Sequence, residues 1–176
     1  MANGAIDVAR IVGRMEGVPG VVRGLCAGLT DADARAKGAA GQWSILEIVC
    51  HLCDEEELDF GARLRSLVRD PAAPWPGTDP EAWAVRHRYV EQDLEERLEA
   101  FARLRAGTVA WLRSLPRDLD WTEAYLHPNH GPIPRGELLV AWPAHDALHV
   151  RQIAKRLYEL AERDGAAGGW TVRYAG

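Results

Sequence analysis

Apolar residues recur at steps of three or four along four long stretches of this chain, and proline or glycine closes most of them. That period matches one face of an α-helix, and no sustained two-residue alternation competes with it. A first helix is predicted over 6–29 from Ile11, Met15, Val18, Val22, Leu25 and Leu29. Pro19-Gly20 falls inside it, where two pieces could meet with Pro19 in the first turn of the second. Ser44 with Glu47 three residues on has capping-box spacing and opens a second helix running to about Val68. The run DPAAPWPG, from Asp70 to Gly77, is the clearest loop in the chain. A third helix begins near Asp79 or Pro80, breaks, and has its main segment over 90–115, striped by Leu94, Leu98, Phe101, Leu104, Thr108, Leu112 and Leu115. Prolines 128, 132 and 134 predict a loop without regular structure over 117–134, and a fourth helix follows over 135–162.

Four amphipathic segments with proline-rich connections predict an all-α fold, an antiparallel four-helix bundle. The connection between helices two and three is long enough to cross the bundle. At 176 residues the chain reads as one domain over 1–176, with its core at about 6–162 and a short C-terminal tail. A chain of this length buries roughly 70% of its unfolded surface and needs no metal merely to fold. No apolar run approaches the ~18 residues that would span a bilayer, and MANGAIDVAR lacks the basic-then-apolar pattern of a secretory signal. Three cysteines are too few for a disulfide framework, so a cytoplasmic protein is expected. Net charge is −5 without a basic block, which disfavours nucleic acid as a partner.

The chemistry-bearing signal is His145-Asp146-Ala147-Leu148-His149. Two histidines four apart share a helix face and can converge on one divalent ion. Asp146 stands where a zinc protease needs glutamate, and no Glu-x-x-His of the di-iron type occurs. His51 is the candidate third ligand. A helical wheel places it opposite the stripe of Ile45, Val49, Leu52, Cys53 and Phe60, beside Glu47, Asp54, Glu55 and Leu58. On that ground it is an exposed histidine among carboxylates, or it lines a cleft in which Glu47 or Glu55 orients it. Cys50 and Cys53 lie mid-helix, away from the N-terminal position that activates redox thiols, and read as packing residues. A zinc site of Cys50, Cys53, His127 and His130 is the alternative. Trp43, Trp111, Trp142 and Tyr158 suit bundle packing, and Trp75 and Trp83 suit the mouth of a cleft. Arg63, Arg65, Arg151 and Arg156 read as surface charges that, if they line the cleft, would meet a substrate carboxylate. The acidic run Asp54 to Glu57 reads as a solvated face.

Trp43-Ser44, His51-Leu52 and His145-Asp146-x-x-His149-x-x-Gln152-Ile153, in that order and separation, resemble the DinB-like superfamily over roughly Val18 to Leu160. The resemblance implies a four-helix bundle with a long crossover between helices two and three, assembled as a homodimer. It implies a divalent metal, zinc or nickel, held by His51, His145 and His149; Glu47, Glu55, Asp146, Gln152 and Trp142 are the candidates for the surrounding pocket. Relatives include small-thiol S-transferases and a mycothiol-dependent isomerase, so the resemblance implies a small-molecule substrate and a low-molecular-weight thiol activated for stress or detoxification chemistry. Three neutral imidazoles leave an open position on a divalent ion, where a thiol is deprotonated outright. Water at that position gives a hydrolase instead, and a non-catalytic stress-induced binding or assembly module is the third possibility. Pro143 predicts a local kink beside His145.

Overall fold

The computed structural model describes residues 6–39 and 41–170. It contains α1 (Val8–Cys26), α2 (Asp31–Arg35), α3 (Ile45–Glu57), α4 (Phe60–Arg69), α5 (Pro80–Arg86), a 3-10 turn (Tyr89–Glu91), α6 (Leu94–Ser114), a hairpin of β1 (Ala124–His127) with β2 (Gly131–Pro134), and α7 (Arg135–Ala167). The four long helical arms are α1, α3 with α4, α6, and α7. Both α1 and α3 pack against α6 and α7, as a helical bundle requires. The segment between α4 and α6 is long and carries α5 and the 3-10 turn. No described helix is long and apolar enough to cross a membrane.

Pro19 does not divide the first helix: α1 is continuous. Proline has no N–H for the carbonyl four residues back, which leaves Met15 without its helical donor. Arg105 Nη1 supplies one instead, at 3.1 Å. Likewise α7 runs α-helical through Pro143 and extends to Ala167, beyond the expected end at Glu162.

The second helix is two pieces. The capping box at Ser44 starts α3 as expected, but the chain leaves helical geometry at Asp59 (φ −117°, ψ −102°) before α4 begins. The turn brings Gly61 so close to the end of α3 that a Cβ there would collide with the Glu56 carbonyl oxygen, so only glycine fits.

The stretch 117–134 is not wholly irregular. Leu126 pairs with Pro132 and Ala124 with Pro134, with Tyr125 opposite Ile133 and His127 opposite Gly131. In an antiparallel pair, residues alternate between positions that exchange hydrogen bonds and positions that do not. Two prolines spaced by two both fall in the second class, so the ladder loses nothing. Gly131 supplies the left-handed turn residue, φ +74°.

The core divides lengthwise. Val22, Ile45, Ile48, Val49, Leu52, Leu98, Phe101 and Ile153 form one apolar cluster. Val12, Met15, Leu64, Val109, Leu112, Leu138, Leu139 and Trp142 form another. Between them lies a buried polar layer. Arg105 donates to Glu56 Oε1 (2.6 Å) and to both oxygens of Asp146 (2.7 and 2.9 Å), and Thr108 donates to Glu56 Oε2 (2.6 Å). A third cluster, Ala34, Leu46, Cys50, Trp83 and Tyr89, packs the crossover segment onto the other side of α3. Trp83 is therefore core and not the rim of a cleft, while Trp75 stacks on Tyr125 at 4.3 Å and ties its loop to the hairpin.

Candidate metal centre

Because the crossover segment covers its second face, α3 is buried almost all round. His51 is 3% exposed, so the wheel's exposed position is corrected by packing that no local pattern encodes. Only Glu57 of the acidic run is fully exposed; Asp54 is half-buried against His87 (2.7 Å), and Glu55 and Glu56 face inward. Trp43, just before the cap of α3, covers His51 with ring centroids 4.8 Å apart. From α7, His149 comes to 4.7 Å and His145 to 5.8 Å of the His51 ring. One ring nitrogen from each of the three lies within 4.8 Å of the others. A single ion binding imidazoles at ~2.0–2.1 Å requires such a convergence.

Hydrogen bonding defines which atoms are free. His149 Nδ1 lies 2.9 Å from Gln152 Oε1. An amide oxygen only accepts, so Nδ1 carries the proton and Nε2 presents a lone pair. That Nε2 is buried with no partner among the described residues, as are His51 Nδ1 and Glu55 Oε2. Glu55 stands between two histidines, its Oε1 3.1 Å from His51 Nε2 and its Oε2 3.7 Å from His145 Nδ1. Three buried acceptors without donors at one point are costly unless a cation satisfies them, so the residues fit a divalent ion. Burial holds His51 down to about 3 and His149 to about 4, each helped by the neighbouring histidines, and it lowers His145 as well. All three are therefore neutral at pH 7, the state a metal needs.

The remaining candidates separate. Gln152 and Glu55 belong to the cluster. Asp146 turns away into the Arg105 pair. Trp142 is core: it stacks on Phe60 at 5.6 Å, and Phe60 in turn meets His145 at 5.3 Å. Glu47 caps Ser44 and pairs with Lys37. Cys50 and Cys53 donate to the backbone carbonyls of Tyr89 and Arg97, and burial pushes both thiols up to about 12. They are not grouped with His127 and His130, which lie on the hairpin, so the four-ligand zinc alternative is not formed among the described residues. Arg63 pairs with Asp59 (2.8 Å), Arg65 lies over Trp111, and Arg156 is buried where a surface charge was expected. Sequence reasoning missed the Arg105–Glu56–Asp146 layer, although Arg105 falls on the apolar stripe between Phe101 and Val109.

Glu55 has a pH signature. Burial first, then the charge of Asp59, raises its carboxyl to about 8 from an ordinary 4.5. A group raised on folding stabilises fully below its unfolded value and loses that stabilisation as pH climbs through the folded one. The depressed histidines act oppositely, with stability present above 6.5 and lost in acid. Urea unfolding in chelator should therefore show the wild type losing about 2 kcal/mol more than Glu55→Gln between pH 6.5 and 8, at 1.36 kcal/mol per unit. Parallel pH profiles for the two proteins would refute this.

A sequence profile of the DinB superfamily matches residues 14–153. Among solved structures, YfiT from Bacillus subtilis superposes with a TM-score of 0.79 at 18% identity, covering 97% of this chain and 94% of that one. It is described as a probable metal-dependent hydrolase with an unusual four-helix bundle topology. No curated protein sequence matches. At that identity the structural likeness speaks for the fold, and the profile match over most of the chain decides the family. The chain belongs to the DinB superfamily.

Proposed function

We propose that the protein is a metal-dependent hydrolase whose divalent ion, zinc or nickel, is held by His51, His145 and His149. The observation that carries this reading is Glu55, a buried carboxyl group set between two of the histidines with one oxygen free. A metal-bound thiol ionises fully at neutral pH, whereas an attacking water, with its higher pKa, gains from a base placed beside it. The description of YfiT as a probable metal-dependent hydrolase supports the same choice. When bound, the ion would supply Lewis acidity and lower the pKa of a nucleophile beside it. The chain's own residues do the rest. Gln152 fixes the His149 tautomer and Trp43 and Phe60 shield the site from bulk solvent; Glu55, whose raised carboxyl would be drawn back to its ionised form by a cation beside it, accepts at Oε2 the proton released by the attacking water.

Thiol transfer is the second reading, favoured by an adjoining cavity of about 650 Å³, large enough for a low-molecular-weight thiol. One experiment separates the two. Protein purified without chelator should carry about one ion per chain and should hydrolyse activated esters in water alone. Chelation should abolish turnover. Glu55→Gln should keep its metal yet lose about 10²–10⁴ in kcat, the range of a general base. Failure to take up Zn²⁺ or Ni²⁺ would overturn the metal assignment. Products that form only when a thiol is added would overturn hydrolysis in favour of transfer.

A further inference from the structure

Two cavities, of about 500 and 1060 Å³, meet on the outer side of the packed pair α1 and α7, where Ile11, Val140 and Ala144 line both. Together they form one groove. Val18 and Val21 carry it toward the C-terminal end of α1, and Trp121 closes the other end. On α7 it runs from Gly136 to Val150, about 20 Å at 1.5 Å per residue, or roughly four turns of a helix laid along it. Ile11 and Val18 are recessed, while Val21 and Val140 are each 51% exposed, so the groove is apolar from floor to rim.

The outer face of α1 is bare of side chains. Gly13, Gly17, Gly20 and Gly24 all lie inside this helix, and a Cβ added at any of them would meet nothing. Glycine in a helix interior is destabilising relative to alanine, and no contact within the chain requires it here. Gly17 and Gly24 stand four residues before and three after Val21, on the same face beside the groove. Another backbone can approach closely there.

The rim is cationic. Arg14 lines one half of the groove and Arg117 the other; Arg10 stands one turn before Arg14, and Arg151 one turn beyond Ala147. All four are exposed, and none forms an ion pair among the described residues. Exposed arginines elsewhere do: Arg23 holds Glu95, Arg88 holds Glu91, Arg113 holds Glu16 and Arg163 holds Asp33. The acids lining the groove are Glu137 and Asp7, and Asp7 is occupied in capping α1. A chain of net charge −5 thus carries a locally positive rim around an apolar floor.

We propose that this groove docks an amphipathic helix of a partner protein, one whose apolar stripe is edged by Asp or Glu. Its apolar anchors at i, i+4, i+7 and i+11 fill the groove, and its acids meet the four arginines. Charge complementarity selects this occupant over a second copy of the chain, since a two-fold contact lays the patch on itself and doubles the same positive excess. Concavity selects it over an anionic bilayer, which needs apolar side chains that protrude. The groove is separate from the histidine cluster, so the proposal stands or falls independently of the metal.

Two synthetic four-turn helices test it by fluorescence anisotropy. Both carry leucine at i, i+4, i+7 and i+11 in an alanine background; one is edged with Glu and the other with Lys. The Glu-edged helix is expected to saturate one site per chain, about tenfold or more tighter than the Lys-edged one, and to weaken as salt is added. Val21→Gln/Val140→Gln should weaken it about tenfold, with circular dichroism and Zn²⁺ uptake unchanged. Arg10→Glu/Arg14→Glu should reverse the preference between the two helices. Equal affinity for the two helices, no saturable binding, or affinity indifferent to both double variants would overturn the proposal. A dimer in sedimentation velocity that the valine variant dissociates would give the groove to a second copy. Co-sedimentation with phosphatidylglycerol vesicles, without binding of the Glu-edged helix, would give it to a membrane. Either result overturns the partner helix.

Discussion

Alanine at any one of His51, His145 or His149 should weaken Zn²⁺ binding on the order of 10²–10³-fold. Structural zinc sites with four ligands bind with about 10–16 kcal/mol, so one ligand accounts for roughly 3–4 kcal/mol at 1.4 kcal/mol per decade. Gln152→Ala leaves all three imidazoles in place and removes only the acceptor that fixes the His149 tautomer, so it should cost about 10–100-fold. That graded pattern, read by competition with a chromophoric chelator, separates ligation from mere proximity. The folded state should survive each change. His145 is half-buried, and the histidines lie beside the two main apolar clusters, not within them. Circular dichroism of the metal-free variants checks this. Three variants that keep wild-type affinity would place the metal elsewhere.

Those three positions were not equally legible in the sequence. His145 and His149 lie on one helix, so the 3.6-residue period alone puts them together. His51 lies on another helix, and the wheel assigned it to solvent because a wheel assumes one buried face. Its second face is covered by Trp83 and Tyr89, from a connection more than thirty residues away in sequence, and only the family resemblance carried that information. The four helical arms were readable for the same local reason as the histidine pair. The break at Asp59 was not, because the local pattern through Leu58 and Phe60 continues as a helix and the interruption shows only in the non-helical backbone at Asp59 and the tight approach of Gly61 to the Glu56 carbonyl. The hairpin was obscured by counting prolines as breakers, when a spacing of two lets both sit off the hydrogen-bonded ladder. Arg105 was legible in principle. It occupies a core phase of α6, where a charge is tolerated only if paired, and Glu56 and Asp146 are the partners that make the position possible.

Removing that charge should be the most destabilising single change in the chain. Arg105→Met leaves Glu56 and Asp146, both about 2% exposed, without their counter-ion, and strips the Met15 carbonyl of the donor that Pro19 cannot supply. Breaking a buried pair from one side costs about 3–5 kcal/mol, which for a domain of this size lowers Tm by roughly 6–20 °C. Measurement in chelator keeps metal linkage out of the value. The triple variant Arg105→Met/Glu56→Leu/Asp146→Leu removes all three charges together, and replacing a buried ion cluster with apolar residues is commonly neutral or better. It should regain most of the lost stability. It should not regain metal affinity, because Glu56 and Asp146 each sit one residue from a member of the site, Glu55 and His145. The ion pair fixes the rotation of α3 and α7 about their axes, and apolar contacts permit several rotations of similar energy. Stability restored with Zn²⁺ affinity still reduced would assign the polar layer to positioning the histidines. Restoration of both would make it structural filler, and Arg105→Met within 1 kcal/mol of wild type would refute the buried pair altogether.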